Sequence, residues 1–429
     1  MSKTGVKSIK GFHDILPEQS RLWRSIERKA EEVFGLYGFH QIIIPTLEYS
    51  GLFEKGVGRS TDIVEKEMYS FADRDRNQSL ITLRPEGTAG VVRAFIENSL
   101  DQTADGKKVY YSGSMFRREN TQKGRMREFH QIGAEFFGSS EPSADAEMIA
   151  MLWHFFKALG IESGLTMEIN SIGTPEERGD FKTALRQFLE PLSGNLCNDC
   201  QRRLQTNPLR VLDCKKADCE RATGNAPVMK EYLSGGSAGH FGEVKKRLNA
   251  LSVPFTENGR IVRGLDYYTH TVFEVKAGDG ESLGAQNTVA AGGRYDRLVE
   301  ELGGRSTPAV GFAIGVERTA GLLQSSGREE KRDGPQVFVC WIGVECFDGA
   351  FELSKKLRDE NVGTLIEHSE SSIKSQTKKA DKSGARFAVI IGAKEKQGGT
   401  VKLKNMETGD ERDLPERDAV AEIIKAAKR

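Results

Sequence analysis

Apolar positions along the chain follow two rhythms, one helical and one extended, and the changes between them divide the sequence. Leu22, Ile26, Ala30 and Val33 recur at helical spacing within Glu18 to Tyr37 and predict an amphipathic helix. The run Phe39 to Pro45 (FHQIIIP) predicts a buried strand halted by proline. Leu80 to Leu83 predicts a short strand entering Arg84-Pro85-Glu86-Gly87-Thr88. There Pro85 and Gly87 fix a sharp turn, and Thr88 suits the cap of the helix that follows. Val109-Tyr110-Tyr111 and Phe129 to Phe137 predict two antiparallel strands joined by a long basic loop, Glu119 to Arg127. Ala144 to Leu159 predicts a helix with Ile149, Leu152, Trp153 and Phe156 as its core stripe, and Leu165 to Ile172 a strand.

From Gly173 to about Asn258 the texture becomes polar and rich in Arg, Glu and Lys, which predicts a helical insertion between sheet strands. Apolar alternation returns in Arg260 to Val275 and in Val310 to Val316. After the charged linker Gly327 to Pro335, strands at Val337 to Ile342, Gly363 to Ile366 and Arg386 to Ile391, with a helix at Asp348 to Glu360, predict a βαβ-type domain.

A chain of 429 residues is too long for one typical core, so two or three domains are expected. Lys plus Arg and Asp plus Glu both number 62, so a nucleic-acid partner must show itself in local patches rather than in net charge. Two such patches stand out: Lys123, Gly124, Arg125 and Arg127 in the loop, and the lysines from Lys374 to Lys404, which meet only Asp381 and Glu395 within their span. No apolar run is long enough to cross a bilayer and the N-terminal stretch has no secretory core, so a cytoplasmic protein with reduced cysteines is expected. Four of the six cysteines cluster as Cys197-X2-Cys200 and Cys214-X4-Cys219; a structural zinc site and free thiols both fit that spacing.

Side chains alternate along a strand, so Phe129, Gln131, Gly133, Glu135 and Phe137 share one face: an amide and an acid around a glycine gap, with Arg117 at the neighbouring strand's end. That combination suits a zwitterionic ligand. Arg263-Gly264-Leu265-Asp266-Tyr267-Tyr268 interrupts its strand pattern with poor strand formers, and the glycine points to a close backbone approach to a ligand. Ala291-Gly292-Gly293-Arg294 offers backbone that can lie against a flat ligand. No Walker pattern occurs, so any phosphate site is not a P-loop.

Phe116-Arg117-Arg118-Glu119 resembles the second signature motif of class II aminoacyl-tRNA synthetases, although Asn120-Thr121 stands where Arg-Pro is expected. Phe129-His130-Gln131-Ile132-Gly133 and Arg263-Gly264-Leu265-Asp266-Tyr267-Tyr268 are similar to histidyl-tRNA synthetases in particular. Gly315-Val316-Glu317-Arg318 resembles the third class motif, and the first helix with its proline-ended strand resembles the first. The resemblance implies an α+β fold. An antiparallel-sheet core (1–172 and 259–326) would be split by a helical insertion (173–258) and followed by a C-terminal α/β anticodon-binding domain (335–429).

The resemblance also implies a reaction: L-histidine and ATP form histidyl-adenylate, and tRNA(His) then takes the histidyl group. Arg117 and Arg263 would flank the α-phosphate as the catalytic cations. Glu86, Gly87, Thr88, Gln131, Glu135, Tyr267 and Tyr268 would bind histidine; Arg117, Glu119 and Arg318 would bind ATP with Mg2+ across its phosphates; Gln122, Lys123 and Arg125 would meet the acceptor end. A homodimer through the first motif is implied as well. The alternative of another class is a non-catalytic, synthetase-like regulatory subunit of histidine biosynthesis.

Overall fold

The computed structural model describes residues 5–59, 61–103, 106–121, 124–278, 287–326 and 334–427. They form two compact units, Met1–Arg328 and Glu329–Arg429.

The first unit opens with helix α1 (Pro17–Leu36), which starts with proline at its first position and buries Ile26, Ala30, Val33 and Phe34. Short elements follow: β1 (His40–Gln41), β2 (Leu47–Tyr49), α2 (Ser50–Gly56), β3 (Tyr69–Ala72), β4 (Leu80–Leu83) and α3 (Thr88–Glu97). The expected buried strand at Phe39 to Pro45 is thus only two residues long. Ile44 is buried, but Ile43 stands 87% exposed, because this stretch runs along the sheet's rim rather than through it. The long hairpin β5 (Lys108–Phe116) and β6 (Glu128–Phe137) comes next, then α4 (Pro142–Leu159) and β7 (Leu165–Ser171).

Helices α5 (Pro175–Leu189), α6 (Asn198–Thr206) and α7 (Ala217–Ala222) lie in the insertion, around their own cluster of Phe181, Leu185, Leu189, Leu204, Val211 and Met229. Helix α8 (Gly235–Ala250) belongs elsewhere: its Phe241, Val244 and Leu248 join the main core beside α4. Helices α5 to α7 share one cluster, whereas α8, also within 173–258, packs on the main core. The unit closes with β8 (Thr256–Glu257), β9 (Thr269–Ala277), β10 (Thr288–Arg294), α9 (Leu298–Glu301), β11 (Ala309–Gly315) and α10 (Val316–Ser325).

Eight strands form one sheet in the order β1-β5-β6-β11-β10-β9-β7-β8, antiparallel throughout its centre. One face carries Tyr110, Ile132, Ala134, Phe312, Ile314, Phe273 and Ile169 into a core completed by α1, α4, α8 and α10. The strand period turns every other residue to the opposite face. There the register sets Tyr111 beside Gly133 and Ala313, Gly113 beside Gln131 and Gly315, and Gly293 beside Gly311 and Glu135. That face has a floor of small residues, with α3 packed along one side.

The second unit is a five-stranded sheet. Its elements are β12 (Val337–Trp341), α11 (Val344–Asp359), β13 (Thr364–Ile366), α12 (Ile373–Ser383), β14 (Phe387–Ile391), α13 (Ala393–Gly398), β15 (Thr400–Asn405), β16 (Glu411–Pro415) and α14 (Glu416–Ala427), and its strand order is β13-β12-β14-β15-β16. The parallel βαβ pattern holds for β12, β13 and β14; β15 and β16 add an antiparallel edge. Its lysines have more acidic partners than their own span supplies. Lys379 pairs with Glu367, and Lys402 and Lys404 pair with Glu411 on the adjacent strand.

Candidate active site

Glu86 sits at the turn before α3. Its two carboxylate oxygens accept from the Thr88 and Ala89 backbone N–H groups, each at 2.8 Å, so Glu86 caps the helix that Thr88 was expected to cap. The Thr88 hydroxyl is released to donate to Glu135 Oε1 at 2.8 Å. Tyr295 donates to the other oxygen, Oε2, at 2.6 Å. Glu135 is wholly buried, and burial outweighs these two donors, raising its pKa to about 8. Burial likewise raises the pKa of Glu86.

The glycine gap is real, but protein fills part of it. A Cβ at Gly133 would lie 2.3 Å from the Tyr111 ring, and one at Gly87 would lie 2.2 Å from it. Tyr111 therefore lies across both glycines. At Gly311 a Cβ would fall 1.6 Å from Glu135 Oε2, so only glycine leaves room for that carboxylate. An added Cβ at Gly292 would meet Gly311 O and the core side chain Phe312, so that glycine serves close strand packing; at Gly293 it would meet Thr271 O and the Tyr268 ring, so that glycine makes room for Tyr268 on the site face.

Arg263 to Tyr268 is an irregular loop leading into β9, not the middle of a strand. Leaving the ladder frees these residues to turn over the sheet. Arg263 pairs with Glu274, and its guanidinium lies 5.4 Å above the Tyr268 ring. Tyr268 contacts Tyr267 at 4.6 Å between ring centroids, and Tyr267 contacts Tyr295 edge-on at 5.6 Å. All three phenols are buried, and burial raises their pKa values.

Arg117 leaves the end of β5, donates from Nε to Pro85 O at 2.8 Å and rests 5.1 Å over the Phe129 ring. Glu119 holds Arg125 at 2.9 Å and faces Arg117 at 4.0 Å. Arg125 is thus paired with Glu119 within the loop. Arg318, at the start of α10, donates to Gly124 O and to Thr288 O, and the nearby cations Arg125 and Arg117 help burial lower its pKa. Gln122 and Lys123 lie outside the described residues.

The polar lining has unused capacity. Gln131 Oε1 and Arg263 Nε are buried without a hydrogen bond. Buried polar atoms without partners are costly, and these two belong to residues expected to meet the substrates. Of the expected residues, Glu86, Thr88 and Glu135 are linked directly, and Tyr267 and Tyr268 join them through Tyr295. Arg117, Glu119 and Arg318 gather at the hairpin loop. Tyr111 and Tyr295 were not among the expected site residues.

The histidyl-tRNA synthetase profile matches residues 11–174 and 226–319, and an anticodon-binding-domain profile matches 336–426. The chain is 47% identical over 409 residues to the histidine–tRNA ligase of Geobacter metallireducens, covering 95% of this chain and 97% of that protein. It is also 47% identical over 410 residues to that of Geobacter sulfurreducens, with 96% and 97% covered. The apo histidyl-tRNA synthetase of S. aureus superposes with a TM-score of 0.80 at 35% identity, covering 97% of this chain and 99% of that one. The chain belongs to the histidyl-tRNA synthetase family.

Proposed function

We propose that the lining just described is where this ligase, which attaches histidine to tRNA, binds and activates its amino acid. The observation that carries the reading is the pair of buried, unsatisfied polar atoms on Gln131 and Arg263, beside a buried Glu135 carboxylate held by Thr88 and Tyr295. Glu86, Thr88 and Gln131 take the ammonium end of histidine. Glu135, held by Tyr295 and Thr88, meets the imidazole with Tyr267 and Tyr268 around it. A pocket that hydrogen-bonds the imidazole rejects apolar analogues, because its own groups would be left unpaired.

ATP is the second substrate. Arg117 and Arg263 stabilise charge on the α-phosphate as the histidine carboxylate attacks and pyrophosphate leaves; arginine's planar fork suits phosphate oxygens. Arg318 takes the outer phosphates. Such a transfer needs positioning and charge neutralisation more than a protein base. Glu119 and Glu317 are the acids beside this arginine group, and they fit a Mg2+ held chiefly by phosphate oxygens, where it would neutralise charge as pyrophosphate departs. A terminal ribose hydroxyl of tRNA(His) then attacks the acyl carbon of the adenylate, the acyl–phosphate bond breaks and AMP leaves. The hairpin loop meets the acceptor end, and the exposed Lys374, Lys378, Lys382 and Lys394 of the second unit meet another part of the same tRNA.

Among the described residues no helix is long and apolar enough to cross a membrane. We place the protein in the cytoplasm, where tRNA and ATP are used. We also propose a homodimer. The three-stranded sheet β2-β4-β3 turns Leu47, Tyr49, Ile81 and Phe71 to one face, where Tyr49 is 67% exposed, and exposed Ile43 and Leu36 are further apolar candidates. That much unpartnered apolar surface favours an interface. Light scattering at micromolar concentration tests it, and a monomer mass would end the proposal.

The regulatory-subunit alternative is less supported, because Arg117, Arg263, Arg318 and the second unit are all present. Histidine-dependent exchange of pyrophosphate into ATP decides between them: the ligase catalyses it and a silent subunit does not.

A further inference from the structure

The insertion holds a group that the reaction does not use. Cys197 is the N-cap of α6 and Cys200 lies in its first turn; Cys214 follows the short helical turn Pro208–Val211, and Cys219 lies in α7. Their four Sγ atoms lie within 4.8 Å of one another. All four thiols are free, and Cys200 and Cys219 are fully buried. The Cys197 backbone N–H donates to Cys219 Sγ at 3.3 Å. Four ligands at about 2.3 Å around one tetrahedral zinc stand about 3.8 Å apart, close to this spacing.

Packing alone does not account for the cluster. Helix α6 has nine residues, the turn after it four, and α7 six. Helices this short are marginal by themselves. They need a staple, and soft thiolates in a closed tetrahedral set select zinc among the common divalent ions.

We propose that Cys197, Cys200, Cys214 and Cys219 bind one structural Zn2+, which fixes residues 198–211 against the Arg263 loop. The second half of this statement rests on contacts. Arg203 from α6 and Arg210 from the next turn converge on Asp62 at 3.3 and 3.8 Å. The Arg210 guanidinium also lies beside Gly264, where an added Cβ would stand 3.1 Å from its Nη1. The metal therefore has no part in the chemistry; it holds the arms that press on the residue next to Arg263.

The test uses the full chain, purified under reducing conditions from zinc-replete medium. Elemental analysis is expected to give one zinc per chain. Cys200→Ser/Cys219→Ser removes it, and Cys214→Ser, at a half-exposed position where folding is least at risk, weakens it. Stripping the metal with a chelator is expected to speed amide exchange in 198–211 and 263–266 while leaving β5 and β6 unchanged, with reversal on adding zinc chloride. Less than a tenth of an equivalent of zinc, iron in its place, a disulfide among these four cysteines, or full zinc retained in Cys214→Ser would each overturn the site. Zinc-independent exchange at 263–266 would overturn its link to the loop. Histidine-dependent activity is read separately, so failure of the zinc site leaves the ligase assignment untouched.

Discussion

The Tyr295 hydroxyl donates to Glu135 Oε2 across 2.6 Å, joining β6 to the turn after β10. With the Thr88 hydroxyl it favours the ionised carboxylate, yet burial holds the pKa up at about 8. Between the ordinary value of 4.5 and about 8, the folded chain keeps a proton that the unfolded chain has released. Glu135 therefore costs stability increasingly as pH rises through that window. Its ionised form is the one that suits a cationic imidazole. Calorimetry of histidine binding in buffers of different ionisation enthalpy, at a pH of about 5.5 where the free imidazole is already cationic, is expected to show proton release from the protein. Glu135→Gln abolishes that release, and Tyr295→Phe, which removes a donor to the carboxylate, moves the transition to higher pH. An unchanged proton count in Glu135→Gln would show that this carboxyl does not titrate on binding.

Arg263→Ala is expected to cut histidine-dependent pyrophosphate exchange by roughly 10²–10³-fold, the usual cost of losing one positioned donor to a developing charge. The fold survives, because Glu274 keeps Lys276 at 3.6 Å and the Thr288 hydroxyl at 3.3 Å. Arg263→Lys is impaired too, since the planar fork is lost. Near-normal exchange in a folded Arg263→Ala chain would remove the residue from the chemistry.

Two glycines of β11 separate space from conformation. Gly311→Ala drives a methyl into Glu135, and overpacking of this kind costs about 1–3 kcal/mol. Histidine affinity is expected to fall with it. Gly315→Ala meets nothing nearer than 3.6 Å, so its stability stays within about 0.5 kcal/mol. Equal melting temperatures for the two variants would contradict the crowding at Gly311.

In the second unit, Lys374, Lys378, Lys382 and Lys394 are exposed. Changing all four to Gln is expected to weaken tRNA binding and to flatten its dependence on salt. The logarithmic slope should fall by about 0.7–0.9 for each phosphate that is no longer neutralised. Pyrophosphate exchange needs no tRNA and stays at its original rate. An unchanged salt slope would make these lysines a merely solvated surface.

Much of this architecture is legible because periodicity survives folding. The stripe of α1, the alternation of β6 and the apolar run of β11 each reach the sheet or its cover within a residue or two of the expected bounds. Other features depend on partners far away in the chain. Arg263 to Tyr268 reads against a strand rhythm that begins only at Thr269. Tyr111 and Tyr295 carry no local mark of their role, which is to lie across Gly87 and Gly133 and to reach Glu135. Ile43 reads as buried because apolar runs usually are, whereas the rim of a sheet leaves it in water. Glu86 shows both readings of one residue at once: it caps α3, and it also feels the Arg117 charge that faces the site.

The sheet's strand order has a bearing on how the chain is made. The hairpin of β5 and β6 is complete by Phe137, but the strand that pairs with the other edge of β6 begins only at Ala309. At a synthesis rate of about 5–20 residues per second, roughly ten to thirty seconds pass before that partner emerges. Throughout this interval the nascent chain presents a ten-residue edge with open N–H and C=O groups. Protection by ribosome-bound chaperones therefore matters most for this half-built centre, and slow decoding within the insertion would lengthen the exposure of an edge already completed at Phe137.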